Sequence, residues 1–390
     1  MRLFAVPIFI MVMLLPDIYI YRHFLKRRKA SKAKRIVWWL PAAFLFSYLL
    51  ILLMINTFEP GNMHWFNLFL LFFGIIFIPK FLFAICSALG CGLCRIFHSH
   101  RNYGNLVGIL LALCSLFVVV YGATWGMKRF EVRHTDMSFS NLPDAFDGYR
   151  IVQFSDAHVG SYGSDTAFMQ MVVDSINAQH PDAVMFCGDL ENVLPSELYP
   201  FLGIFPQIKA ADGIYSVMGN HDYSTYTQQL SDQQRAADIK ETENRQIQFG
   251  WNILLNSHRV IRKGNDSIIV AGEENDGLPP FPALGNIHQA LRGTAKSNFI
   301  IMLQHDPSSW RRHILPESNV QLTLSGHTHA MQFQIFGWSP ASLMFKEWGG
   351  TYYDGERALS VSKGLGGFIY FRYGAWPEIN VITLHKKQSL

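Results

Sequence analysis

Residues 3–21, 36–55, 65 to about 89 and 104 to about 125 are each apolar for long enough to cross a hydrocarbon core of about 30 Å. Inside that core no water satisfies backbone N–H and C=O groups, and unbroken apolar segments of this length satisfy their own as helices. Composition supports the reading, because 49% of the 390 residues are hydrophobic and only 16% are charged, too apolar for a soluble chain of this size. The first stretch differs from a cleaved secretory leader: Arg2 is its only leading charge and no small-residue cleavage pattern follows. It is expected to be retained as the first of four transmembrane helices, giving a membrane domain over residues 1–130 and a second domain over residues 131–390.

Loop charge sets the expected orientation. Arg22, Lys26, Arg27, Arg28, Lys29, Lys32, Lys34 and Arg35 separate the first two spans, Arg95 and Arg101 the last two, and residues 56–64 carry no Lys or Arg. Basic loops stay on the cytoplasmic side, which makes this a multi-pass cytoplasmic membrane protein with its amino terminus and residues 131–390 outside. Lys128, Arg129 and Arg133 oppose that assignment but are outnumbered. Asp17 and Lys80 then fall near the cytoplasmic interface, where the lysine stem can snorkel, and residues 81–94 are expected along the surface. Cys91 and Cys94 lack a second pair or a histidine partner for zinc, and Cys187 reads as a buried thiol.

After residue 135, five short runs rich in branched or aromatic side chains each end on residues of the kind that bind metals. Their ends read Asp156-Ala157-His158, Gly188-Asp189, Gly219-Asn220-His221-Asp222, Gln304-His305 and Gly326-His327-Thr328-His329. Such runs are buried strands, and loops at the carboxyl ends of neighbouring strands converge on one small volume. The gathered donors would be two carboxylates, an amide oxygen and four imidazoles, more than one tetrahedral ion needs and without the thiolates of a structural zinc site. Two divalent ions fit this set, and the mixed oxygen and imidazole chemistry suits manganese, iron or zinc. A pair of cations about 3.5–4 Å apart acidifies a shared water, which is chemistry suited to attack on phosphorus.

The ordered set D-x-H, G-D, G-N-H-D, a lone His and G-H-T-H resembles the calcineurin-like metallophosphoesterase family, in particular its membrane-associated bacterial YkuE/YaeI-like branch. The likeness extends to Leu142-Pro143, Phe146-Asp147-Gly148, residues 213–223 and Lys363-Gly364-Leu365-Gly366, and covers roughly residues 135–385. It implies that Asp156, His158 and His329 hold one ion, that Asn220, His305 and His327 hold the other, and that Asp189 bridges them. It further implies that His221 protonates the leaving alkoxide while Asp222 or a nearby carbonyl orients its ring. Two positions depart from the family: Asn192 where a second Asp is common, and Ala330-Met331 where Gly-Gly is common.

His134, His180, His258, His288, His313 and His385 lack such context and read as structural, and Glu273 and Glu274 as part of a hydrated turn. Helices are expected at residues 165–179 and 197–209 and within 225–248, with hairpin strands at 259–262 with 267–271, then 359–362, 368–373 and 379–384. This is an α/β pattern, two packed sheets flanked by helices, and the resemblance implies a four-layer α-β-β-α sandwich. The expected activity is dimetal-dependent hydrolysis of a phosphate ester, a phosphodiester or lipid-linked phosphate at the outer membrane face, with no nucleic-acid partner. A cytoplasmic-facing lipid-precursor pyrophosphatase would need the opposite orientation, and a non-catalytic metal- or phosphate-binding sensor would show lost ligands.

Overall fold

The computed structural model describes residues 2–55, 61–227 and 230–387, with residues 2–8 described by backbone alone. The chain divides into two compact units, residues 1–57 with 62–124 and residues 58–61 with 125–390.

The first unit consists of helices α1 (Arg2–Ile20), α2 (Lys32–Met54), α3 (Met63–Ile96) and α4 (Gly104–Thr124). Among the described residues, α2, α3 and α4 are long and apolar enough to cross a membrane. Helix α1 occupies the first expected span, although the side chains of residues 2–8 lie outside the described set. Residues 81–94 are not a separate surface segment. They continue α3, whose 34 residues make it about 51 Å long at 1.5 Å per residue. Small residues let α4 run back along it: a Cβ added at Gly74 would meet Val119 at 2.8 Å, at Gly108 would meet Phe83 at 3.1 Å, and at Gly90 would meet the backbone of Gly104 at 2.9 Å. Close approach of this kind replaces the hydrophobic drive that lipid cannot provide.

Lys80 does not snorkel. Its Nζ lies 2.7 Å from Asp17 Oδ1 and 4.8 Å from the centroid of the Trp38 ring, with side-chain exposures of 16% for Lys80 and 5% for Asp17. Deleting one partner of a buried pair strands the other charge, at a cost of about 3 kcal/mol. The Lys80→Ala protein is therefore expected to melt lower in detergent than the wild type, and the Asp17→Leu/Lys80→Met double variant to recover most of the loss.

The second unit is built on two sheets of six strands each. The first takes β1 (Glu131–Phe139), β2 (Tyr149–Phe154), β3 (Ala183–Phe186), β4 (Ile214–Ser216) and β5 (Asn252–Ile253), with helix α5 (Ala167–Ala178) between β2 and β3 and α6 (Asp232–Gln248) between β4 and β5. The second takes β6 (Ser257–Lys263), β7 (Asp266–Gly272), β8 (Phe299–Leu303), β9 (Leu322–Ser325), β10 (Gly350–Asp354) and β11 (Arg357–Val361), and β12 (Glu378–Lys386) returns to the first. The spatial orders are β1-β12-β2-β3-β4-β5 and β10-β11-β9-β8-β7-β6.

Alternation along each strand builds the layers, since successive side chains point to opposite faces. Ile151, Met185, Val270, Ile301 and Leu324 meet between the sheets. Val152, Phe154 and Phe186 face Phe168, Val172 and Ile176 of α5. On the other sheet, Ile269, Ile300 and Leu359 face Trp310 and Ile314. The result is the helix-sheet-sheet-helix sandwich. Gln153 staples its middle, donating from Nε2 to the carbonyls of Ser325 at 2.9 Å and Ser360 at 3.2 Å.

Two expected elements differ. Residues 197–209 form 3-10 turns, Pro195–Phe201 and Phe205–Gln207, because Pro200, Gly203 and Pro206 prevent a regular helix. Residues 368–373 form no strand and keep one isolated bridge, Tyr373 to Phe333.

Candidate metal centre

Strands β2, β3 and β4 run parallel, as do β7, β8, β9 and β11. Their carboxyl ends therefore open on one edge of the sandwich, and every predicted ligand leaves from one of them. The backbone there is unusual. Asp156, His158, Asp189, His327 and His329 all have positive φ, between 42° and 73°, a region few non-glycine residues enter and one that concentrates at functional sites. Glycines make room: a Cβ at Gly364, whose own φ is +78°, would stand 2.6 Å from the Asp156 Cβ, and one at Gly188 would stand 2.5 Å from the Gly219 nitrogen.

The side chains gather in two groups that share one carboxylate. Asp156, His158, Asp189 and His329 present ligand atoms within 4.8 Å of one another, and Asp189, His305 and His327 do the same. In the first group His158 Nε2 lies 3.5 Å from Asp189 Oδ2, and His329 Nε2 lies 3.3 Å from Asp156 Oδ1. In the second, His305 Nε2 is 3.1 Å from Asp189 Oδ2, and Asn220 Oδ1 lies 3.1 Å from His305 Nε2 and 2.8 Å from His327 Nδ1. All seven predicted ligands are thus brought together. Among the described residues neither buried ring nitrogen of His158 has a hydrogen-bond partner, the contact of Nε2 with Asp189 Oδ2 being 3.5 Å long. Buried polar atoms are rarely left so, and a cation is the partner this donor set fits.

Neighbouring groups fix these side chains. The Cys187 carbonyl can only accept, so at 2.7 Å it takes the proton of His305 Nδ1 and leaves Nε2 facing Asp189. The Asn192 carbonyl does the same for His221 Nδ1 at 2.6 Å. Asp222 does not touch that ring. It accepts from the backbone N–H groups of Asp189, Leu190 and Gly219 at 2.8–2.9 Å and pins the two ligand loops together.

Sequence reasoning missed three further contributors. Glu197 accepts from the N–H groups of Asn192 at 2.6 Å and Val193 at 3.3 Å, shaping the turn that holds His221. Tyr226 stacks on His221 with centroids 3.9 Å apart and planes 6° apart. Buried Arg372 donates to the carbonyls of Gly366, Lys363 and Ala375 behind His329. None belongs to a motif, and only the fold brings them near.

Burial opposes charge on Asp189, but His305, His221 and His158 outweigh it and hold that carboxyl well below its ordinary range. Burial likewise opposes protonation of His305, yet Asp189 and Asp156 lift it to about 10. Burial lowers His221 to about 3 and also depresses His327 and His329. Burial thus favours the neutral form of His327 and His329, whose lone pairs are what a metal would bind.

Of the histidines expected to be structural, His258 bonds the Ala290 carbonyl at 2.7 Å, while His288 and His313 pair with Glu317. The segment at Glu273 is not a hydrated turn. Glu273 is 2% exposed and accepts from Gln304 Nε2 at 3.2 Å, and Asp276 is held by Ser309 and Arg312. Burial raises Glu273 from 4.5 to about 7. A folded pKa above the unfolded one gives stability that is full below the lower value and is lost as pH rises through the higher. Glu273→Gln removes that loss. The melting temperature of the variant relative to wild type is expected to rise between about pH 5 and about pH 8, by the equivalent of about 2–3 kcal/mol.

A fold that opens one sheet edge onto two sets of carboxylate and imidazole donors is that of a metal-dependent hydrolase. Residues 149–331 match the family model for "Calcineurin-like phosphoesterase", and residues 1–127 match that for "Probable Calcineurin-like phosphoesterase, transmembrane domain". The chain thus joins a transmembrane domain to a metallophosphoesterase domain of the calcineurin-like type. A "Transmembrane protein with metallophosphoesterase domain" of Danio rerio is 28% identical over 345 residues, covering 82% of this chain and 75% of that protein. The metallophosphoesterase YkuE of Bacillus subtilis (strain 168) is 29% identical over 280 residues, 67% of this chain and 90% of YkuE. The metallophosphoesterase Cj0846 of Campylobacter jejuni is 25% identical and covers 96% of each chain.

Proposed function

We propose that this phosphoesterase uses two divalent cations, manganese, iron or zinc, to hydrolyse a phosphodiester or lipid-linked phosphate at the outer face of the cytoplasmic membrane. Asp156, His158 and His329 would hold one cation, Asn220, His305 and His327 the other, and Asp189 both. The observation that carries the reading is the sharing of Asp189 between the two donor groups. When bound, cations so placed acidify a shared water and neutralise charge on the phosphoryl oxygens.

The chain's own residues do the rest. His221 presents Nε2 while Asn192 grips Nδ1. Burial holds its ring neutral, and a phosphoryl charge beside it would favour uptake of a proton from water, since an opposite charge favours the ionised form. That proton then goes to the departing alkoxide. Tyr226 keeps the ring in plane by stacking, and Asp222 keeps the Asp189 and Asn220 loops in register. The outer-face assignment rests on the ten basic residues in the first and third loops.

The test is purified full-length protein, stripped of metal and reloaded with each cation in turn, assayed on an aryl phosphodiester, phospholipids, lipid diphosphates and nucleotides. Metal-stimulated turnover with a preference for membrane-borne esters is expected, and binding without turnover would favour a sensor. Protease added to intact cells should cut beyond residue 135, and full protection would place the domain inside.

A further inference from the structure

Beyond His329 the chain exposes apolar surface that neither packing nor turn chemistry explains. Six large hydrophobic side chains within residues 331–344 are exposed. Phe336 is the extreme case, fully exposed at the tip of a two-residue hairpin. Ile335 and Trp338 exchange both backbone hydrogen bonds at 2.9 Å, with Phe336 at φ 47° and Gly337 at φ 81°. This geometry is the type I′ turn, which favours Asn at its first central position. A phenylalanine there accepts an unfavourable backbone and packs against none of the described residues. Trp338 is 48% exposed, Leu343 78% and Met344 72%.

The hairpin is held firmly. Gln332 Nε2 donates to the carbonyls of Ile369 at 2.7 Å and Phe371 at 2.8 Å, and Gln334 donates to the Tyr373 carbonyl at 2.7 Å. A second loop, residues 277–285, adds Leu278 at 50% and Leu284 at 47% exposure. The two loops meet at the metal centre, where the rings of Phe281 and Phe345 stand nearly perpendicular to that of His327 with centroids 4.9 Å and 5.6 Å from it. Residues 277–285, 331–346 and 366–376 contain no Asp or Glu.

We propose that this rim inserts into the interface of the bilayer that the chain's own helices span, bringing the mouth of the metal centre to the layer of lipid phosphates. Three observations select a bilayer over another protein. Residues 125–130, at most about 20 Å of extended chain, link the last membrane helix to β1. Trp settles at a membrane boundary, and Phe and Leu are the side chains with which surface-bound segments enter it. A rim without carboxylates meets no repulsion from anionic headgroups. The proposal rests on the membrane anchor and not on the hydrolytic reading above.

The test uses full-length protein reconstituted in vesicles of phosphatidylethanolamine and phosphatidylglycerol, with a diazirine-bearing phenylalanine analogue at position 336. On illumination, phospholipid adducts are expected. Water adducts alone, or cross-links to a second copy of the chain or to another protein, overturn the proposal. In parallel, the Phe336→Ser/Trp338→Ser variant is expected to lose about tenfold in turnover of a vesicle-borne aryl phosphodiester while keeping its turnover of a soluble one. An equal loss on both substrates would also overturn it. Should neither ester be turned over by the wild type, the hydrolytic reading fails and the photolabel still decides the membrane contact.

Discussion

Asp189→Asn is expected to lower metal-stimulated phosphoester hydrolysis by about a thousandfold or more, the rate equivalent of several kcal/mol of lost charge stabilisation. The substitution preserves size and keeps an oxygen where Asp189 Oδ1 now accepts from the His221 N–H at 2.8 Å. It removes the charge both donor groups share and the partner of His305. Metal content measured by elemental analysis should fall with activity, while the circular dichroism of the variant stays that of the wild type. Wild-type turnover in a variant that no longer holds metal would reject the two-cation reading.

His221→Ala should cost between about a hundredfold and ten-thousandfold in turnover, as expected for loss of a general acid. The loss should depend on the leaving group. An alkyl ester, whose alkoxide needs the proton, should lie near the upper figure, and a nitrophenyl ester near the lower. Metal content should remain that of the wild type, because the His221 ring belongs to neither donor group. A uniform loss across leaving groups would show that the ring binds phosphate without donating a proton. Loss of metal as well would mean that it acts as a ligand.

The helix-sheet-sheet-helix order and the seven clustered donors could be read from the chain because local patterns encode them. Apolar runs of four to six residues ending on Asp156, Asp189 or His305 announce a buried strand and its terminal loop. What escaped is what depends on distant contacts. Lys80 looks like an isolated interfacial charge until α3 lies beside α1 and brings Asp17 to 2.7 Å. Residues 197–209 carry apolar spacing that suits a helix, but three breakers within them prevail. Glu273 sits in a run of turn-forming residues, and only the packing of Gln304 and Ser309 around that segment takes it out of water. The Ala330-Met331 departure is legible in hindsight, because both residues hold φ near 50°, the conformation in which glycine is at ease.

The centre straddles a seam. Asp156, His158, Asp189 and Asn220 follow strands of the first sheet, and His305, His327 and His329 follow strands of the second. Any cation bound there becomes a rivet between the two halves of the sandwich, and its binding energy adds to their cohesion as RT ln(1 + [L]/Kd). Scarcity of metal would therefore do more than idle the catalyst. It would leave the halves joined by side-chain packing and by hydrogen bonds such as those of Gln153, so that the supply of the ion would also bear on how long each copy survives proteolysis.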